Sequence, residues 1–169
     1  MCCYLRKWKI EDAEILAELL NNKNILDNLR DGLPYPYTVK DAREFIQSIL
    51  SADKNSTFCF AIVKDDKVVG SIGVFRQSNI HSKTCELGYY VGEQYWNKGI
   101  ATCAVKRICE FVFDNTDIIR IYAEPFSRNK ASCRVLEKAG FVYEGTLKCN
   151  AVKNGVIEDM NMYAIVKMQ

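Results

Sequence analysis

The chain has 169 residues, which at roughly 150 residues per domain predicts one compact unit, a single domain over 1–169. With 49% hydrophobic and 26% charged residues, and only 3 prolines and 9 glycines, the composition excludes a disordered or fibrous chain. Lys and Arg number 23 against 21 Asp and Glu, and a net charge of +2 lacks the basic excess that phosphate-backbone binding calls for, so no nucleic-acid partner is expected.

A strand is predicted over about 4–9, leading to Glu11 and Asp12, acidic residues suited to the first turn of a helix. Ile15, Leu16, Leu19 and Leu20 fall on one helical face; Asn21-Asn22-Lys23-Asn24 interrupts it, and a second short helix carries Ile25, Leu26 and Leu29. Asp31-Gly-Leu-Pro-Tyr-Pro-Tyr37 is a loop, because its prolines exclude a regular helix, and its tyrosines are expected to be exposed. Thr38 then caps a helix whose Ala42, Phe45, Ile46, Ile49 and Leu50 share a face.

The period changes in the middle of the chain. Thr57 to Lys64 and Lys67 to Phe75 form a hairpin across Asp65-Asp66, rich in β-branched residues, and a third strand follows over about 83–91. Helical spacing returns with Ile100, Ala104, Val105, Ile108, Phe111 and Val112. A strand over about 118–123 precedes a helix over about 129–139 that stops at Gly140. Two strands, about 141–150 and 156–166, close the chain around an Asn154-Gly155 turn. The order implies a mixed α/β sheet rather than strict βαβ alternation.

Apolar stretches break within about ten residues, short of the roughly 20 that a spanning helix needs, and MCCYLRKWK lacks the apolar core of a signal peptide. No membrane partner and a cytoplasmic location are expected. Eight cysteines are present, but there is no C-x-x-C and His81 is the only histidine, so no metal site is expected. Most of the cysteines lie among apolar residues and read as reduced core filler, and the sequence offers none of them a convincing cationic partner.

The stretch from Glu86 to Thr102 passes from a strand through a loop with Lys98 and Gly99 into an amphipathic helix. Free N–H groups at such a helix start suit a pyrophosphate, although an ordinary strand-to-helix turn accounts for the spacing equally well. Trp96-Asn97-Lys98-Gly99-Ile100-Ala101 resembles the acetyl-CoA pyrophosphate loop of the GNAT superfamily of N-acetyltransferases, generic pattern [QR]-x-x-G-x-[GA], with Trp96 in place of Gln or Arg. That departure, the Asn129-Lys-Ala-Ser-Cys-Arg-Val-Leu-Glu-Lys-Ala-Gly-Phe141 block and the Leu33 to Ala42 loop and helix are similar to the RimJ/RimL-like branch, and Asp159 and Tyr163 match its closing hairpin.

The resemblance implies a single-domain α/β (α+β) GNAT fold, with a mixed sheet of about six to seven strands and a splayed strand pair. By the same resemblance, acetyl-CoA is the cosubstrate. Main-chain groups of Gly88, Tyr89, Tyr90 and Val91 would meet its pantetheine arm, and Trp96, Asn97, Lys98, Gly99, Ile100, Ala101 and Thr102 its pyrophosphate. Lys98 either adds a charge-assisted contact or is a solvated loop lysine. Asn129 caps its helix and, by resemblance, also contacts the CoA arm. Ser132 either hydrogen-bonds the departing thiolate or is a tolerated polar residue.

Strand alternation puts Glu86, Gly88 and Tyr90 on one face. A carboxylate in an apolar strand has a raised pKa when buried, which makes Glu86 the candidate base, acting through water, and a candidate substrate contact. Tyr35, Tyr37 and, more weakly, Tyr90 are further substrate contacts or ordinary packing. An α-amine with a pKa of about 7.8 is neutral far more often at pH 7.4 than a lysine at about 10.4, a difference of roughly 3.5 kcal/mol, so the lack of a strong base fits an N-terminal amine acceptor. A small-amine acetyltransferase and a non-catalytic acyl-CoA sensor are the alternatives, and a monomer or homodimer is implied.

Overall fold

The β-branched runs of the middle third form the centre of a seven-stranded sheet in the computed structural model, which describes residues 2–167. Positions 1, 168 and 169 of the expected domain lie outside the described residues. In chain order the elements are β1 (Tyr4–Arg6), α1 (Ala13–Leu20), α2 (Lys23–Leu26), α3 (Val39–Ser51), β2 (Thr57–Lys64), β3 (Lys67–Arg76), β4 (Thr84–Val91), α4 (Ile100–Asn115), β5 (Arg120–Ala123), α5 (Lys130–Lys138), β6 (Val142–Lys153) and β7 (Val156–Val166). The sheet runs β1-β2-β3-β4-β5-β7-β6 and is antiparallel except where β4 meets β5. This is the mixed sheet flanked by helices that the element order implies.

Both tight hairpins turn on residues with left-handed backbone. Asp65 and Asp66 have φ of 48° and 60°, and Asn154 and Gly155 have 50° and 79°. Two consecutive positive φ values match the twist of the flanking strands, which is why short polar residues and glycine occupy these corners.

The period-2 pattern of the strands divides the core in two. On one face α4 and α5 bring Ile100, Ala104, Ile108, Val112 and Leu136 against Ile72, Val74, Leu87 and Ile121. On the other, α1 and α3 bring Leu16, Leu19, Leu20, Ala42 and Ile46 against Cys59, Ala61 and Val63. The helices therefore sandwich the sheet, and β4 in its middle sends alternate side chains to each layer.

Several local expectations are corrected. β1 ends at Arg6 because the Asp12 carboxylate accepts from Arg6 Nη1 (2.7 Å), Arg6 Nη2 (2.8 Å) and the Lys9 N–H (2.9 Å), which bends the chain toward α1. Leu50 and Phe111 lie outside the buried helix faces, with Phe111 packed edge-on against Phe58 and Phe60. Tyr37 is buried, 3% exposed, among the residues packed by α1 and α3, and its N–H and carbonyl are both held by the Asn21 side chain (2.8 and 2.7 Å). It is a core residue, not an exposed loop tyrosine. The cysteines are not uniformly core filler: five are buried, Cys2 and Cys103 are half-buried, and Cys149 is exposed.

Two substitutions separate core packing from capping. Ile108→Ala, at a fully buried site, should cost about 2–5 kcal/mol in urea unfolding. Thr38→Ala removes one half of the capping box with Asp41 and should cost about 1 kcal/mol.

Candidate functional site

β4 and β5 run side by side for only three residue pairs, Thr84/Arg120, Cys85/Ile121 and Glu86/Tyr122. Beyond Glu86 the strands part, while β4 continues to pair with β3 as far as Val91. The segment from Leu87 to Val91 therefore has an open edge toward β5, with main-chain groups free to meet a ligand. A Cβ placed on Gly88 would touch nothing within 4 Å, so the protein leaves space at that position.

β4 then leads into a loop that opens α4. Asn97 and Gly99 have left-handed φ values of 60° and 73°. Gly99 is the N-cap, and a Cβ there would again meet no protein atom within 4 Å. The helix ladder begins with the Cys103 N–H on the Gly99 carbonyl (3.0 Å), so the N–H groups of Ile100, Ala101 and Thr102 precede it. Together with the partial positive charge of a sixteen-residue helix, this arrangement has the chemistry to cradle an anion. Trp96 has its own place in it. Its Nε1–H donates to the Val91 carbonyl (2.7 Å) and pins the loop to the end of β4. Lys98 turns back onto the loop, with Nζ donating to Gln94 O (2.9 Å) and lying 5.6 Å from the Tyr95 ring centroid.

Across the gap, α5 starts with Asn129, whose Oδ1 accepts the Ser132 N–H (3.1 Å), the cap expected from the sequence. The Ser132 hydroxyl lies 2.8 Å from the Tyr89 hydroxyl. Burial pushes the Tyr89 phenol well up, so it stays protonated and able to donate. Glu86, Gly88, Tyr89 and Ser132 line one cavity of about 340 Å³ between the parted strands. The structure thus brings together the two residues proposed from sequence for proton transfer.

Three residues around Glu86 escaped sequence reasoning. Arg30, from the segment after α2, forms an ion pair with Glu86 and a second with Glu124 at 3.3 Å. Glu124 follows β5, and the Tyr122 hydroxyl hydrogen-bonds Glu86. Burial raises the Glu86 pKa, Arg30 partly offsets it, and the Glu124 charge adds to the rise. Alternation along β5 could have placed Tyr122 and Glu124 on the side of Glu86, but nothing local marks Arg30. Its position depends on Arg128, whose Nη1 donates to Asn28 Oδ1 (2.9 Å), Nη2 to the Asp27 carbonyl (2.6 Å) and Nε to Glu158 Oε1 (2.7 Å).

A second, outer cavity of about 460 Å³ adjoins the first and shares Arg30. Lys23, Asp27, Asp31, Tyr35 and Lys153 line it, with Lys153 paired to Asp31 at 2.7 Å. Tyr35 is exposed here beneath the Lys23 ammonium. Tyr90 is placed elsewhere: its ring packs on the α1/α3 side, where its hydroxyl bonds Ser71 and faces Tyr37 and Cys59. Its side chain contributes nothing to either cavity, which corrects the expectation of a substrate contact. Among the described residues there is no cluster of histidine, cysteine and carboxylate groups fit for a metal ion, and no helix is long and apolar enough to cross a membrane.

Residues 3–142 match the acetyltransferase (GNAT) domain family. The chain belongs to that family. This GNAT acetyltransferase is 35% identical over 133 residues to the probable N-acetyltransferase YjcK of Bacillus subtilis, spanning 77% of this chain and 74% of that protein. It is 27% identical over 140 residues to the ribosomal-protein-serine acetyltransferase of Escherichia coli, spanning 80% and 78%. Among solved structures, the Microcin C7 self immunity acetyltransferase MccE, in complex with acetyl-CoA and AMP, is similar with a TM-score of 0.85 at 26% identity, over 98% of this chain and 92% of that one.

The electrostatics of the GNAT cavity lead to a stability prediction. Because its folded-state pKa is raised, Glu86 favours folding at low pH and loses that contribution as pH rises through the raised value. Glu86→Gln removes the loss and leaves Arg30 to Glu124, so the variant should unfold thermally at or above the wild-type temperature at pH 7. A clear drop in melting temperature would contradict this account.

Proposed function

We propose that this enzyme is an acetyl-CoA-dependent N-acetyltransferase of the RimJ/RimL type, a single domain over 1–169, acting in the cytoplasm on a protein N-terminal α-amine by direct attack in a ternary complex. The observation that carries the reading is the opening between β4 and β5, with Glu86 and Ser132 facing one cavity. Acetyl-CoA supplies an activated acetyl thioester. The cradle at residues 97–102 fits its pyrophosphate, because Gly88 and Gly99 leave open space and the first N–H groups of α4 have no acceptor among the described residues.

Each residue then has a role set by its surroundings. Main-chain groups of Gly88, Tyr89, Tyr90 and Val91 hold the pantetheine arm, with one N–H supplying the oxyanion donor. The turns at Asn97 and Gly99 aim the N–H groups around Ile100, Ala101 and Thr102 at the phosphates, while Trp96 and Lys98 keep the loop in shape. Asn129 sets the start of α5 and meets the CoA arm. Glu86 takes the proton of the acceptor ammonium through water, its raised pKa bringing it toward the working range. Ser132, hydrogen-bonded to Tyr89, returns a proton to the departing sulfur. Tyr35, exposed at the outer cavity, touches the acceptor body.

Charge supports one ammonium per acceptor. In the inner cavity Glu86 and Glu124 outnumber Arg30 by one negative charge, whereas in the outer cavity Lys23, Lys153 and the shared Arg30 outnumber Asp27 and Asp31 by one positive charge. A single cationic head with a neutral body, as in a peptide N-terminus, matches this pattern. A polyamine, with a second ammonium several ångströms away, does not.

Titration calorimetry with acetyl-CoA, followed by thiol release over a panel of N-terminal peptides, polyamines and aminoglycosides, tests the proposal. CoA binding with release on peptides is expected, and preferential release on polyamines would overturn the acceptor assignment. Gly99→Val should weaken CoA binding by at least about tenfold, because valine resists φ near 73° and its side chain enters the cradle. Glu86→Gln should lower kcat by about 10²–10⁴-fold. Arg30→Gln should move the acidic limb of the kcat profile to higher pH, since the guanidinium holds the Glu86 pKa down.

A further inference from the structure

Three thiols meet beneath the cradle loop. Cys103 lies in the first turn of α4, and its N–H opens the helix ladder on Gly99. Cys2 and Cys3 lead into β1 alongside, the Cys3 thiol donating to the Ile100 carbonyl at 3.7 Å and the Cys2 thiol reaching the Lys98 carbonyl at 4.0 Å. Both thiols also face the Cys103 sulfur. One turn further along α4, the Arg107 guanidinium faces the same sulfur, and its Nε is buried with no hydrogen-bond partner.

The surroundings differ for each thiol. Burial pushes the Cys103 thiol up, but hydrogen bonds from Cys3, Arg107 and Cys2 outweigh it and leave the group below its ordinary value. Burial pushes Cys3 up to about 12 and leaves it 2% exposed, so it is the poorer reactant. Cys2 and Cys103 are both half-buried and within reach of a small soluble oxidant.

We propose that Cys103 and Cys2 are a redox modification site, forming a reversible disulfide in response to hydrogen peroxide and thereby weakening CoA binding at the adjoining loop. The Cys103 thiolate attacks one peroxide oxygen, the O–O bond breaks, and the second oxygen leaves as water after taking up a proton. The Cys2 thiol then attacks the resulting sulfenic sulfur, the S–S bond forms and a second water departs. The two thiols lose two electrons and the peroxide gains them. In the bridged form the Lys98 carbonyl has lost the Cys2 donor, and the segment before β1 is tied to the first turn of α4. A transient bridge of this kind belongs to a reducing compartment, where thioredoxin-class dithiols reopen it.

The effect on CoA rests on the proposed reading of residues 97–102, whereas formation of the bridge does not. Full-length protein treated with hydrogen peroxide, with and without CoA, is followed by intact mass and by peptide mapping under non-reducing conditions. Wild type and the Cys149→Ser control should lose the mass of two hydrogens and yield a Cys2–Cys103 cross-link. Cys2→Ser should instead accumulate a dimedone-trapped sulfenic acid on Cys103, Cys103→Ser should give neither product, and bound CoA should slow the reaction. The oxidised protein should bind CoA roughly five- to fifty-fold more weakly, restored by dithiothreitol.

No cross-link in the wild type, or one that joins Cys3 to Cys103 or survives Cys2→Ser, overturns the site. A cross-link with unchanged CoA affinity overturns the coupling. Absence of CoA binding by the reduced protein would count against the functional reading instead, and the mapping would still decide the bridge.

Discussion

The structure turns on the place where two parallel strands stop pairing. β4 and β5 share a ladder only as far as Glu86 and Tyr122, and every feature of the cavity follows from the parting that comes next. Had the ladder continued, the groups beyond Leu87 would be spent on β5, Glu86 would be sealed in the sheet, and Ser132 would face a strand rather than a cavity. The two core layers keep the gap open. α4 and α5 pack on one face and α1 and α3 on the other, so neither strand can swing across without uncovering apolar surface.

The second governing element is an unbalanced set of charges. Placing Glu86 and Glu124 near each other in a half-dry cavity is unfavourable, and one guanidinium cannot satisfy both. The surplus negative charge is a local instability that an incoming ammonium relieves, which links ligand choice to the cost of holding the site together. It also sets the titration of Glu86: burial and a like charge raise its pKa while Arg30 limits the rise.

What was legible in the sequence follows the range of the forces involved. Element order, the two-residue turns, the N-caps at Thr38 and Asn129 and the alternation at Glu86 depend on neighbours within a few positions, and they appear as read. The turn through Asn97 and Gly99 into α4 likewise falls within the one continuous stretch, Trp96 to Thr102, that the sequence singles out. Arg30 was not legible, because a residue 98 positions away in the chain, Arg128, sets its place. Tyr37 was misjudged because prolines on either side of Tyr35 mark a loop, but not which of its side chains turns inward onto Asn21 and α3. The thiol cluster was equally hidden, since it joins the first residues of the chain to the first turn of a helix a hundred positions later.

The Arg128 fork extends this dependence to the outer cavity. It fastens the segment carrying Asp27 and Asn28 to Glu158 of β7, while Lys153 and Asn154 at the tip of the β6/β7 hairpin hold Asp31 and Asp27 from the opposite end. The rim around the outer cavity is therefore a braced frame anchored in the sheet, not a hinged flap. These contacts set the width and the charge of the opening. A lengthened or shortened β6/β7 hairpin would redraw that opening while leaving the turn from β4 into α4, on the other side of the parted strands, untouched.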